Sequence, residues 1–181
     1  MNLTVERIER WPEVQELAAP LSERGEIVVA QFGDFECPFC RQFARSMQSL
    51  PESTRAIISE SFVNFPLASH PFAAAAAVEL ECAAQFGQAR AVHDRLFQSP
   101  ESLSTMGPRV VLEATGLGVS EGHRKCLVSN AAEQRVDSSV ALGRALGVSA
   151  TPTVVIGGWR LSRPPSRREL DSLIHVLRGR R

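Results

Sequence analysis

The chain has 181 residues, 20 basic against 20 acidic side chains, and 44% apolar residues. That length suits one domain with room for an insertion, and it can bury a sizeable core. A net charge of +0 argues against bulk electrostatic capture of nucleic acid, and no apolar run reaches the roughly 18 residues that span a bilayer.

All the basic residues but Lys125 are arginines, so Schiff-base chemistry has a single amine to draw on. The first ten residues scatter Glu6, Arg7, Glu9 and Arg10 where a secretory leader would need an apolar run. As it stands, the chain reads as cytoplasmic; a trimmed leader would make it extracytoplasmic. Asn2-Leu3-Thr4 matches a glycosylation acceptor by letter, which a cytoplasmic placement would leave idle.

In chain order, Leu3 and Val5 alternate with polar residues as in a short strand, and residues 13–19 are weakly helical between Pro12 and Pro20. Residues 27–32 form an apolar run that predicts a strand buried on both faces, ended by Gly33. A helix is expected from about Pro38 to Ser49, with Phe39, Phe43 and Met47 at four-residue steps. Residues 55–65 read as a second core strand stopped by Pro66, which completes a βαβ unit with a parallel pair.

Beyond Pro71 the texture turns helical. Ala73 to Ala77 is a run of the best helix former, and Val78, Cys82 and Phe86 share one face. Helices are expected at 89–97, after a Ser99-Pro100 start, and near 108–115, 120–128 and 131–146. Thr153 to Ile156 is a strand, Gly157-Gly158 a hairpin turn, and residues 159–161 the return strand. Ser166 and Glu169 have capping-box spacing and open a last helix whose stripe is Leu170, Leu173, Ile174 and Leu177.

Four cysteines could be two disulfides, a zinc site or free thiols, and spacing separates them. Cys37-Pro38-Phe39-Cys40 lies between a buried strand and a helix. Cys37 at the helix start would face unpaired N–H groups and the positive end of the helix dipole, which favour a thiolate. Cys40, one turn later and more shielded, would resolve a mixed disulfide. Pro38 suits the first turn, where no N–H is needed. Phe39 brings neither charge nor hydrogen bond, so milder activation is expected than with His there. The competing reading is half a zinc site, which lacks a second closely spaced ligand pair. Thr151-Pro152 begins a core strand, an awkward place for proline. A cis proline there would leave a backbone edge open beside the cysteine pair.

These residues, with Gln31 to Glu36, Asn64-Phe65-Pro66-Leu67, His70, Cys82, His93 to Phe97, Cys126 and Gly147 to Thr153, resemble the DsbA-like branch of the thioredoxin superfamily over about residues 26–178. The resemblance implies an α/β, thioredoxin-like fold, residues 1–66 and 147–181, with an inserted all-helical domain at 67–146. It implies thiol–disulfide exchange on protein or small thiols, with Cys37 as nucleophile, Cys40 as resolving thiol, and Pro38, Phe39, Thr151 and Pro152 in support. It implies a redox partner, and neither a metal nor an organic cofactor. The alternative is a non-catalytic redox-sensing or interaction module on the same frame. Cys82 and Cys126 are either two small buried hydrophobes or a structural disulfide like that of some relatives.

The chain departs from the family at Gln31, where a glutamate is common, so a buried proton acceptor for Cys40 is absent. Asp34 and Glu36 are read as solvated loop charges rather than replacements for it. His70, His93, His123 and His175 have no metal spacing and read as surface or supporting residues, His70 being the one placed to approach the site. Gly118-Val119-Ser120-Glu121-Gly122 matches a nucleophile elbow by letter, but no strand precedes it, and Ser120 is expected to cap a helix. Seven arginines from 160 to 181 read as a solvated tail, with an anion patch as the alternative.

Overall fold

The computed structural model describes residues 3–23 and 25–179. Asn2 of the glycosylation match, and Arg180 and Arg181 of the arginine-rich end, lie outside them. The first elements are β1 (Val5–Arg7), α1 (Trp11–Leu17), β2 (Ala19–Pro20), β3 (Ile27–Gly33), α2 (Pro38–Gln48), α3 (Glu52–Arg55) and β4 (Ile58–Asn64). Six helices follow: α4 (Ala73–Ala84), α5 (Ala89–Gln98), α6 (Pro100–Met106), α7 (Pro108–Glu113), α8 (Glu121–Leu127) and α9 (Asn130–Ala145). The chain then returns through β5 (Thr153–Ile156), β6 (Trp159–Leu161) and α10 (Arg167–Arg178).

The sheet order is β1-β6-β5-β3-β4-β2. The expected parallel pair is β3 with β4, in register from Ile27 opposite Ile58 to Gly33 opposite Asn64. β5 joins β3 antiparallel and turns into β6 through Gly157 and Gly158, both at positive φ. That conformation suits glycine, which has no Cβ to clash. The second core strand starts later than its apolar run suggests, because residues 52–55 coil into α3 after Pro51. The two-residue β2, paired antiparallel with β4, leaves no periodic signal in so short a segment.

Alternation along the strands sends side chains to opposite faces. Ile27 and Val29, with Val154 and Ile156, pack against Phe43 and Met47 of α2 and Leu170 and Ile174 of α10. Ala30 and Phe32, with Val63 and Val155, pack against Val14 of α1 and Leu142 of α9. At Gly143 the α9 backbone approaches the sheet so closely that a Cβ would stand 2.6 Å from the Phe65 ring. A third cluster joins Cys37, Cys40 and Phe35 to Leu80, Leu96, Leu103 and Leu112 of the inserted helices.

Ser120 caps α8 by accepting a hydrogen bond from the His123 N–H, which disposes of the nucleophile-elbow match. The Ser166–Glu169 capping box is formed. Ser99 precedes Pro100 at the first turn of α6 but makes no side-chain cap. Near the C-terminus, Arg160 pairs with Glu6, Arg163 with Glu169 and Arg178 with Glu26. These three arginines form surface ion pairs along the last strand and helix, while Arg167 and Arg168 are exposed, as the solvated reading expects.

Of the surface and supporting placements expected of the histidines, two take the buried, supporting one. His93 is buried among Phe35, Phe62 and Phe97 and bonds Asp94. His123 is buried against Glu79, with Nε2 to Oε2 at 2.6 Å. His93 lies within the α5 stripe of Ala89, Val92, Leu96 and Phe97, a periodic signal that marks its face as inward, whereas the seven-residue α8 is too short to show one for His123. No helix among the described residues is long and apolar enough to cross a membrane.

Candidate active site

Cys37 is the N-cap residue of α2 and Pro38 occupies its first turn. The helix begins here because Cys37 keeps an extended backbone, φ −73° and ψ 118°, while Pro38 presets the helical φ without needing an N–H. Cys40, one turn on, is fully buried, and Cys37 is nearly so. Both sulfurs are free thiols. Phe39 between them points outward, 66% exposed, leaving Phe43 and Met47 to carry the buried stripe.

The Thr151-Pro152 peptide bond is cis. It brings the Thr151 carbonyl to within 3.4 Å of Cys37 Sγ, which donates to it when protonated. The loop and the helix start together border a groove of about 700 Å³, lined by Phe39, Gln42, Ser149, Thr151, Pro152 and Pro164 among others. The charged side chains on its wall, Arg160 and Arg163, are held by Glu6 and Glu169. The two sulfurs titrate in opposite directions. A hydrogen bond from the Cys40 thiol, with help from the main-chain N–H groups of Cys40 and Phe39, brings Cys37 down to about 5 against the cost of its burial. Burial pushes Cys40 far above the ordinary thiol range, and its bond to Cys37 adds to the rise. A value near 5 lies within the roughly 3.5–7.5 span of activated thiols. The helix start and Cys40 supply the activation that Phe39 cannot.

Gln31 is buried on the α2 side of β3, level with Phe62 and Val154. A neutral amide thus occupies the place where a carboxylate is common. Asp34 and Glu36 are not the solvated charges expected of them. Asp34 is 2% exposed; its Oδ1 accepts from the Glu36 N–H, and its Oδ2 from the Leu67 N–H and His70 Nδ1. Glu36 accepts from the Phe72 N–H at 2.6 Å. The Asp34 bond two residues onward is an Asx-type turn, a local signal the sequence does carry. Its bonds to residues 67 and 70 are not local and leave none.

Cys82 of α4 and Cys126 of α8 are joined in a disulfide, which selects the crosslink over two free buried thiols. Among the described residues no group of three or more Cys, His, Asp or Glu side chains could hold a metal.

A buried thiol pair at a helix start, facing a cis-proline loop on a mixed sheet, is accompanied by a thioredoxin family match over residues 22–175. The chain belongs to the thioredoxin family. Its DsbA-like fold, with helices inserted between β4 and β5, recurs in solved structures. One is a thioredoxin-like oxidoreductase from Silicibacter pomeroyi: TM-score 0.75, 21% identity, 90% of this chain and 93% of that one. Another is the thiol-disulfide exchange protein alpha-DsbA2 from Wolbachia pipientis: TM-score 0.73, 18% identity, 86% and 84%. A third is the catalytic domain of Proteus mirabilis ScsC: TM-score 0.74, 18% identity, 88% of each chain. Curated relatives include the Na(+)/H(+) antiporter NhaA 1 of Mycolicibacterium vanbaalenii, 28% identical over 158 residues, which cover 86% of this chain and 25% of the relative. NhaA 3 of Salinispora tropica is 26% identical over 149 residues, 82% of this chain and 22% of the relative. The chain thus spans about a quarter of the length of these curated relatives.

Proposed function

We propose that this member of the thioredoxin family is a thiol–disulfide oxidoreductase acting on protein or peptide thiols, with Cys37 as nucleophile and Cys40 as resolving thiol. The observation that carries this reading is the placement of the two sulfurs, Cys37 as N-cap of α2 with Sγ 3.4 Å from the Thr151 carbonyl and Cys40 fully buried one turn on, a placement that draws Cys37 down to about 5 and pushes Cys40 far up. At neutral pH one sulfur is a ready thiolate and its partner a protected thiol, the division of labour that exchange requires.

In the oxidising direction a substrate thiolate attacks Cys37 Sγ of the Cys37–Cys40 disulfide. The S–S bond breaks, its electron pair leaves on Cys40, and Cys40 takes a proton from water. A second substrate thiolate then attacks the substrate sulfur of the mixed disulfide and expels Cys37 as the stabilised thiolate. Stabilising that thiolate stabilises the reduced enzyme, which favours oxidation of substrates over their reduction. Pro38 and Phe39 on one side and Thr151 and Pro152 on the other would flank an extended peptide in the groove. The Cys82–Cys126 crosslink supports work in an oxidising compartment rather than the cytoplasm.

The test combines the reduction potential of the Cys37–Cys40 couple, measured against glutathione, with oxidation of a dithiol peptide. An oxidising potential and a Cys37→Ser variant without activity are expected. Full activity in that variant rejects the mechanism, and a disulfide that forms but turns over no substrate would mark a redox-sensing module instead.

A further inference from the structure

The loop between β3 and α2 is tied to the segment that leads into α4 by one buried carboxylate. Asp34 Oδ2 accepts from the Leu67 N–H and from His70 Nδ1, each at 2.8 Å, and Oδ1 accepts from the Glu36 N–H at 2.8 Å. A carboxylate only accepts, so Nδ1 of His70 carries the hydrogen. With three donors spent on it, the Asp34 side chain fixes its own backbone. That backbone meets both cysteines: the carbonyl accepts from the Cys37 N–H at 3.2 Å, and the N–H points at Cys40 Sγ at 3.4 Å. Cys40 is otherwise sealed in the apolar cluster with Ala44, Leu80 and Phe97. Any negative charge that forms on its sulfur has this amide as an immediate donor.

We propose that Asp34, held by His70, is a positioning residue for the resolving step, aiming its main-chain N–H at Cys40 Sγ so that charge on that sulfur is stabilised as it attacks or leaves. This rests on the oxidoreductase reading above. In the reducing direction the Cys37 thiolate attacks a substrate disulfide, forms a mixed disulfide and releases one substrate thiolate. Cys40 then loses its proton to water and attacks Cys37 Sγ. The Cys37–Cys40 bond forms, the bond from Cys37 to substrate breaks, and the second substrate thiolate departs. Charge sits on Cys40 only in the second event. Losing the aimed amide therefore slows resolution and spares the first attack.

The test mixes the reduced protein with excess aromatic disulfide whose thiolate is coloured, so each event releases one countable thiolate. Asp34→Asn sets an amide N–H against one of the donors now bound and loosens the anchor. His70→Ala removes one donor, and His70→Asn returns an N–H near the position of Nδ1. Asp34→Asn and His70→Ala are expected to slow the second release about tenfold or more and leave the first within about twofold. His70→Asn is expected to recover most of the second rate. Second-phase rates unchanged in folded Asp34→Asn and His70→Ala overturn the proposal, as does equal slowing of both phases or failure of His70→Asn to restore resolution. Absence of any first release from the wild-type protein would overturn the oxidoreductase reading itself, a result distinct from a normal first phase with an insensitive second.

Discussion

The main-chain carbonyl of Thr151 lies 3.4 Å from Sγ of Cys37, although 114 positions separate the two residues. The contact joins the two halves of the site. One half is the start of α2, whose free N–H groups favour an anion; the other is the cis-proline loop, which brings the buried Thr151 carbonyl alongside it. The thiol activated at the helix start therefore sits directly against the loop that leads into β5.

Cys37 is expected to titrate near 5 in the reduced protein. The ultraviolet absorbance of the thiolate, followed against pH, checks the value, and a Cys37→Ser variant should lose the transition. Because the leading cause is the hydrogen bond from Cys40, Cys40→Ala should shift the midpoint upward. An unchanged midpoint would assign the effect to the helix start alone.

Stability of the reduced protein should depend on pH in a defined sense. The folded Cys37 thiol ionises near 5, against an ordinary value of 9.0. Between those values the unfolded chain holds a proton that the folded one has released, so stability rises with pH through the window. The gain is complete above about 9 and is lost as pH falls through about 5. Urea midpoints of reduced wild type and reduced Cys37→Ala should differ most at the alkaline end and converge toward the acid end. A difference independent of pH would contradict the lowered titration.

Cys82 and Cys126 should appear as one linked peptide in unreduced mass spectrometry; quantitative alkylation of both in the oxidised protein would refute the bond. Replacing both by alanine should cost about 2–4 kcal/mol in denaturant unfolding. One helical turn away, Glu79 and His123 form a second tie between α4 and α8, at 2.6 Å. That tie should keep the two helices docked in the double variant, leaving the helical circular dichroism unchanged.

Phe39 is 66% exposed at the rim of the groove, so Phe39→Ala should leave the melting temperature unchanged. If its ring contacts bound peptide, KM for peptide oxidation should rise severalfold with kcat within about twofold. An unaltered KM would remove Phe39 from the binding surface.

Much of this architecture was legible in the sequence because its signals are local. The 27–32 run, the Cys37-Pro38 helix start, the Gly157-Gly158 turn and the Ser166–Glu169 box each depend on residues a few positions apart. Backbone sterics and short-range hydrogen bonds act over that distance. The cysteine spacing likewise separated an adjacent pair from two isolated residues.

Tertiary structure alone decided what lies between distant segments. It turned Asp34 and Glu36 inward, because the backbone N–H groups of Leu67, 33 positions on, and of Phe72, 36 positions on, needed acceptors in a half-buried loop. It buried His93 among phenylalanines and His123 against Glu79, and it joined Cys82 to Cys126. From sequence the last pair stood equally as crosslink or as core. A charge in a loop looks alike in sequence whether water or a distant amide solvates it. Desolvation and pairing exist only once the chain has folded back on itself.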